Sequence, residues 1–197
     1  MVYARESDEI LIALGGNTPA DGGNGVVSPA QTLRAALGAL EATPGLTVKG
    51  VSPFYATPCF PAGAGPDYVN AAARLSGDIA PGAVLAILHR IEAELGRTRT
   101  RRWGQRTLDL DLIACGNAVS PNVRTFGEWR DLPLDAQMSR APQELILPHP
   151  RLQDRAFVLV PLNDIAPDWC HPVLKRSVAQ MLAALPQDQR DEVVRLP

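Results

Sequence analysis

The chain has 197 residues, 46% of them hydrophobic, with a formal net charge of −2. That length and apolar content suit one globular domain with a sizeable core, and the net acidity speaks against a polyanion-coating protein, which would carry a basic surface overall. Cys59, Cys115 and Cys170 are odd in number, widely spaced and form no CxxC pair, so neither a disulfide framework nor a zinc knuckle is indicated; the expected location is the cytoplasm, with no leader and no apolar run that could span a bilayer.

After a short tail, EILIALGGN reads as a buried strand from Glu9 to Leu14, broken by the pair Gly15 and Gly16. The loop TPADGGNG follows. Ser28, then Pro29 and Gln31, is a helix start of capping-box type, leading into leucines at 33, 37 and 40 before TPG at 43–45 ends the helix. LTVKGVSPFY (46–55) reads as one strand and DYVNAAARLS (67–76) as the next, separated by the Pro/Gly-rich loop ATPCFPAGAGP. A second helix is predicted from Pro81 to Leu95, with Val84, Leu85, Leu88, Ile91 and Leu95 on one face and Gly96 placed to stop it.

TLDLDLIA (107–114) alternates with period two, which puts Asp109 and Asp111 on one face and Leu108, Leu110 and Leu112 on the other. The resulting order, β-α-β-β-α-β, predicts an α+β fold with a ferredoxin-like core, a sheet carrying two helices on one face. Residues 117–142 are polar and Pro-punctuated and read as a long surface loop after the fourth strand. LPHPRL, the apolar stretch AFVLVPL and a short helix near SVAQMLAAL then form a C-terminal extension, so that residues 1–197 make a single domain.

The chemistry concentrates in RTRTRRWGQRTLDLDL, where Arg97, Arg99, Arg101, Arg102 and Arg106 precede the two aspartates. Two carboxylates on a solvated strand face can simply face water. They also stand about one strand repeat, ~7 Å, apart, which lets them bracket a pair of Mg²⁺ ions through hard oxygen ligands. A basic run is commonly a solvated face. Beside an acid pair, guanidinium forks instead suit phosphate oxygens while Mg²⁺ neutralises the rest of a polyphosphate. No GxxxxGK[ST] motif is present, so side chains rather than a backbone cradle would bind that phosphate. Tyr68 and Asn70 share one face of the third strand, an aromatic plate beside an amide that would suit the edge of a pterin or purine.

IALGGN, VSPFYATPCF, PDYVNAA, IEAELGRTRTRRWGQRTLDLDLI and LPHPRLQDRAFVLVPLNDIAP follow one another in the order found in a known family. Over nearly its whole length the chain resembles the 6-hydroxymethyl-7,8-dihydropterin pyrophosphokinases of folate biosynthesis. The resemblance implies transfer of a pyrophosphoryl group from ATP to the pterin hydroxymethyl oxygen, releasing AMP. By the same matching, Asp109 and Asp111 would coordinate two Mg²⁺ ions. Tyr68 and Phe157 would sandwich the pterin, Asn70 would bond its edge, and Thr57, Pro58 and Phe60 would supply the pocket's loop. Glu92, Arg97, Arg99, Arg102, Trp103, Arg106, Leu112, His149 and Arg155 would lie around ATP, with Arg97 and Arg106 on its phosphates and Arg99, Arg102 and Trp103 on a mobile loop that closes over the substrates.

The family usually has Ser where this chain has Gly16, and where some members have Gln, Arg, Thr and Tyr near the nucleotide the matching places His89, Glu144, Ile146 and Pro150. The partners implied are ATP and the pterin, with no nucleic acid and no membrane, and nothing in the sequence requires more than a monomer. A non-catalytic pterin- or nucleotide-binding homologue is the competing reading; paired acids on the sheet face, which would repel phosphate without metal, favour the enzyme.

Overall fold

The computed structural model describes residues 9–21, 25–59, 65–95, 106–133, 136 and 140–197. β1 (Glu9–Gly16) is central: it pairs antiparallel with β6 (Tyr68–Ser76) on one side and with β7 (Asp109–Cys115) on the other. It runs two residues further than its sequence suggests. Gly15 and Gly16 stay in the ladder, opposite Asn70 and Val69, because the neighbouring chains approach too closely for side chains. A Cβ on Gly16 would stand 2.6 Å from the Thr107 carbonyl oxygen.

α1 (Pro29–Glu41) begins with the predicted capping box: the Ser28 hydroxyl accepts from the Gln31 amide and the Gln31 side chain accepts from the Ser28 amide. The single strand expected over 46–55 is split into β4 (Thr47–Val51) and β5 (Tyr55–Thr57), both paired with β6. The break falls at Ser52–Pro53, where Pro53 has no amide to donate and the Ser52 hydroxyl takes the Ala72 N–H at 2.9 Å. A two-residue hairpin, β2 (Ala20–Asp21) with β3 (Val26–Val27), stands apart from the main sheet.

α2 (Pro81–Glu94) joins β6 to β7, and the main sheet runs β7-β1-β6-β5-β8, with β4 also on β6 and β8 (Val194–Arg195) pairing with β5. One face carries α1 and α2, whose Leu33, Ala36, Leu40, Val84, Leu88 and Ile91 pack on Ile10, Ile12, Leu14, Leu110 and Leu112. The opposite face is covered as well, which the sequence reading did not anticipate. AFVLVPL is helical within α4 (Ala156–Ile165), and Val158, Leu159 and Leu162 pack with Leu11, Ala72 and Ile113. That segment is apolar all round and carries Pro161 inside the helix, so it shows no 3.6-residue period to read.

The predicted surface loop over 117–142 also folds in part. Asn122 caps α3 (Val123–Arg130) by accepting from the Thr125 amide, and Phe126 is fully buried. Its ring lies 5.3 Å from that of His171, which is fully buried and also meets the Trp169 indole edge-on at 5.7 Å. His171 Nδ1 accepts from the amides of Val173 and Leu174. The turn it organises leads to α5 (Val178–Ala184), which has a second capping box at Ser177 and Gln180, and then to α6 (Gln187–Asp191).

Burial holds the His171 imidazole neutral and pushes its pKa down to about 4. The unfolded chain therefore binds a proton below pH ~6.5 that the folded chain refuses until pH ~4, so stability is complete above that window and falls as the pH drops through it. We expect the loss to be on the order of 3 kcal/mol. His171→Asn, which retains an acceptor for the two amides, should lower stability at pH 8 by about 1–3 kcal/mol through lost ring packing and flatten the acid dependence. Denaturant unfolding between pH 8 and 4 checks this; an unchanged slope in the variant would assign the acid sensitivity to other groups.

Candidate active site

Ladder registers set the site out before any side chain is considered. Asp109 of β7 lies opposite Gly15 of β1, Gly15 opposite Asn70 of β6, and Asn70 opposite Tyr55 of β5. One row thus crosses four strands near one end of the sheet. With a strand spacing of ~4.8 Å, Asp109 and Asn70 stand about 10 Å apart, separated by a glycine with no side chain to fill the gap. Alternation puts Asp111, Ala13 and Ala72 one step deeper on the same face, and Leu110 and Leu112 on the buried α2 side. The expected division of that strand into an acidic and an apolar face is what the fold builds.

β7 is an edge strand, and its outer edge is handled residue by residue. The buried Glu92 carboxylate of α2 accepts from the Leu110 amide at 2.8 Å, and the Ile113 carbonyl accepts from the His149 amide at 2.8 Å. Alternation from Leu110 turns the Leu112 peptide toward the same open edge. Along it runs a cleft of about 450 Å³ whose walls include Arg106, Asp109, Asp111, Leu112, His149 and Arg155. Six of the residues singled out in the sequence, from two separate segments, meet there. His89, Glu144, Ile146 and Pro150, the positions that depart from the family pattern, line it too.

Arg106 forms an ion pair and hydrogen bond with Asp109, both half-buried. Burial alone would pull the guanidinium down, but Asp109, Asp111 and the Tyr68 hydroxyl outweigh it and hold Arg106 above its ordinary value. Arg155 goes the other way. Burial lowers it, with Arg151 adding to the effect, against the opposing pull of Asp111, Asp109 and Asp154. His149 is pushed down to about 3 by burial and by Arg155 and Arg151. Its Nδ1 accepts from the Arg151 amide at 3.2 Å, so the neutral ring carries its proton on Nε2 and offers a donor.

Beside this cleft, the Asn70 side-chain amide donates to the Thr57 hydroxyl at 2.7 Å, and both residues are buried. Tyr68, two residues along β6, is half-buried; burial raises its pKa, with Arg106 opposing and Asp109 reinforcing the shift. Phe157 is 39% exposed on the first turn of α4, with the Arg155 guanidinium 5.6 Å above its ring. Pro58 follows β5 and is exposed. Phe60, Arg97, Arg99, Arg102 and Trp103 lie outside the described residues.

Several contributors had no sequence signal strong enough to single them out. Asn17, 3% exposed, accepts from the Arg106 amide at 3.0 Å through Oδ1, donates to the Pro66 carbonyl at 3.1 Å through Nδ2, and sends its own N–H to the Arg106 carbonyl at 2.9 Å. It therefore ties the segments entering β6 and β7 to the end of β1. Trp129, Arg140 and Arg151 also wall the cleft, the first two from the 117–142 segment. Among the described residues no group of three or more His, Cys, Asp or Glu side chains is placed to enclose a metal ion. A cation held by Asp109 and Asp111 would draw its remaining ligands from elsewhere.

Residues 11–167 match the family model described as 7,8-dihydro-6-hydroxymethylpterin-pyrophosphokinase (HPPK). Relatives include a 2-amino-4-hydroxy-6-hydroxymethyldihydropteridine pyrophosphokinase of Pseudomonas aeruginosa, 38% identical over 178 residues and covering 90% of this chain and 91% of that protein. Another of the same name, from Synechocystis sp., is 34% identical over 181 residues, covering 91% of this chain and 77% of that protein. Among solved structures, wild-type Plasmodium falciparum HPPK-DHPS superposes with a TM-score of 0.61 at 13% identity, over 89% of this chain. The present chain spans 44% of that one, and the likeness speaks to the fold.

The approach of Gly16 to Thr107 yields a direct test. Gly16→Ala puts its Cβ 2.6 Å from the Thr107 carbonyl oxygen, so β1 and the 106–107 segment must separate. Urea unfolding should show a loss of about 1–3 kcal/mol; a variant as stable as the parent would show that this approach is not constrained.

Proposed function

Because the chain belongs to the 7,8-dihydro-6-hydroxymethylpterin-pyrophosphokinase family, we infer that it transfers the pyrophosphoryl group of ATP to the hydroxymethyl oxygen of 6-hydroxymethyl-7,8-dihydropterin. AMP leaves, and the product is the pterin diphosphate used in folate biosynthesis. The observation that carries the assignment of this activity to the cleft is the single row in which Asp109 and Asn70 flank Gly15, with Arg106 paired to Asp109. It supports reading the whole chain as one pyrophosphokinase domain, with β1-α1-β4/β5-β6-α2-β7 as a ferredoxin-like core.

Asp109 and Asp111 are our candidates for the metal ligands. Two carboxylates that, among the described residues, belong to no larger cluster of acidic, cysteine or imidazole donors suit Mg²⁺, which keeps several waters and fills its shell with substrate phosphates. Two such ions, when bound, would neutralise phosphate charge and acidify the attacking hydroxyl. Arg106 and Arg155 would hold phosphate oxygens, His149 would donate from Nε2, and the Leu112 peptide would meet the nucleotide at the strand edge. Glu92 positions that edge through the Leu110 amide. Arg97, Arg99, Arg102 and Trp103 would complete the phosphate contacts and exclude water.

For the pterin we propose a slot between Tyr68 and Phe157, with Asn70 on its edge and Thr57, Pro58 and Phe60 around it. Asn70 is supported by its geometry: Thr57 occupies the amide nitrogen, which fixes the side chain and leaves its carbonyl side to be aimed. In the reaction the hydroxymethyl oxygen attacks the β-phosphorus in line. A new O–Pβ bond forms, the bond from Pβ to the α,β-bridging oxygen breaks, and AMP departs with that oxygen while the hydroxyl proton is released. His149 is no base for this proton, since its acceptor nitrogen is engaged. Catalysis rests on alignment and charge stabilisation. Among the described residues no helix is long and apolar enough to cross a membrane.

The deciding experiment measures AMP formed from ATP and the pterin with and without Mg²⁺, in the parent and in Asp109→Ala and Asp111→Ala. Each substitution should lower turnover on the order of 1,000-fold with an unchanged circular dichroism spectrum. A variant within about tenfold of the parent would remove its aspartate from the metal assignment.

A further inference from the structure

The 117–142 segment is polar overall, yet it contains an arrangement that a solvated loop has no need of. Phe126 is fully buried against His171 and pins α3 to the body of the protein. Three residues on, Trp129 is half-buried in the wall of the cleft. The Arg140 guanidinium lies 5.7 Å from its ring centroid and lines the same cleft. A large aromatic face held partly open by a buried anchor, and paired with a planar cation, is the form that proteins use to stack flat heterocycles.

The rest of the lining indicates which heterocycle. Asp109, Asp111, Arg106 and Arg155 supply charge suited to cations and phosphate, while Leu85, Ile146 and Trp129 supply apolar surface. A ligand matching both is charged in one portion and flat and apolar in the other. The pterin half of the site, Thr57 with Asn70, lies across Gly15 from β7, whereas Trp129 is on the cleft along the outer edge of that strand. We propose that Trp129, stacked with Arg140, is a platform for the purine base of the nucleotide, so that α3 supplies a specificity-determining wall of the site. The proposal rests on the reading of the cleft as the ATP site.

Steady-state kinetics with ATP, and with inorganic tripolyphosphate as a base-free competitor, separates the possibilities. Trp129→Ala should raise KM for ATP about tenfold, the range of base–aromatic stacking, without changing inhibition by tripolyphosphate, and Trp129→Phe should recover most of the loss. An unchanged KM for ATP in Trp129→Ala overturns the platform. So does a parallel weakening of ATP and tripolyphosphate, which would put α3 on the phosphates. Arg155→Ala isolates the underlying reading: if it weakens both ligands while Trp129→Ala weakens neither, only the platform falls. If Arg155→Ala weakens neither, the nucleotide lies elsewhere and the platform falls with the cleft assignment.

Discussion

The closest approach in this site is between backbones. Gly15 and Gly16 let the end of β1 lie against Asn70 on one side and Thr107 on the other, at separations that leave no room for an ordinary Cβ on Gly16 and little on Gly15. Asn17 then secures that approach with hydrogen bonds to both incoming segments. Three strands that are distant in sequence thereby present Asn70, an empty position and Asp109 in one row. The proposed chemistry would depend on this spacing, because a substrate meeting an amide at one end and a carboxylate-held cation at the other needs the middle left open.

Much of that arrangement follows from short-range rules that a sequence exposes. The alternation of TLDLDLIA fixes which face Asp109 and Asp111 share, and Ser28 with Gln31 fixes where α1 begins. What escapes such rules is set by contacts far along the chain. Asn17 and Arg106 are 89 residues apart, and nothing near either residue announces the bond. The split of the expected 46–55 strand depends on Ser52 reaching Ala72. The second covered face depends on α4, whose uniformly apolar sequence hides its helical period. Phe126 looks ordinary in a polar stretch until the His171 turn folds over it. Arg97, Arg99, Arg102 and Trp103 were the most conspicuous residues in the sequence, but they lie outside the described part of the structure, and their roles rest on family resemblance.

Covering the second face gives the site its fixed back wall. Arg155 and Phe157 flank the start of α4, and that helix is tied down at its far end by the Tyr55 hydroxyl, which donates to Asp164 at 2.7 Å. Burial together with the Asp164 carboxylate pushes the Tyr55 pKa up to about 12, so the donor persists at any physiological pH. β5 thus connects to two parts of the proposed pterin slot. Thr57 orients Asn70 while Tyr55, two residues earlier on the same face, holds the helix that carries Phe157.

Charge explains why a net acidic chain places its arginines here. The described lining of the cleft has four arginines, Arg106, Arg140, Arg151 and Arg155, against three carboxylates, Asp109, Asp111 and Glu144. That excess is small beside the several negative charges of the nucleoside triphosphate proposed to bind there, so protein cations in this lining would not neutralise such a ligand by themselves. The opposite behaviour of two arginines shows how the difference is divided. Arg106 is stabilised by the acids it faces, whereas Arg155 is lowered by burial and by Arg151. A divalent cation at Asp109 would take over the charge that Arg106 now satisfies and free that guanidinium for phosphate, while an arriving phosphate would relieve Arg155. On the proposed assignment, metal and nucleotide would each remove the electrostatic cost of the other, and their binding would be mutually reinforcing.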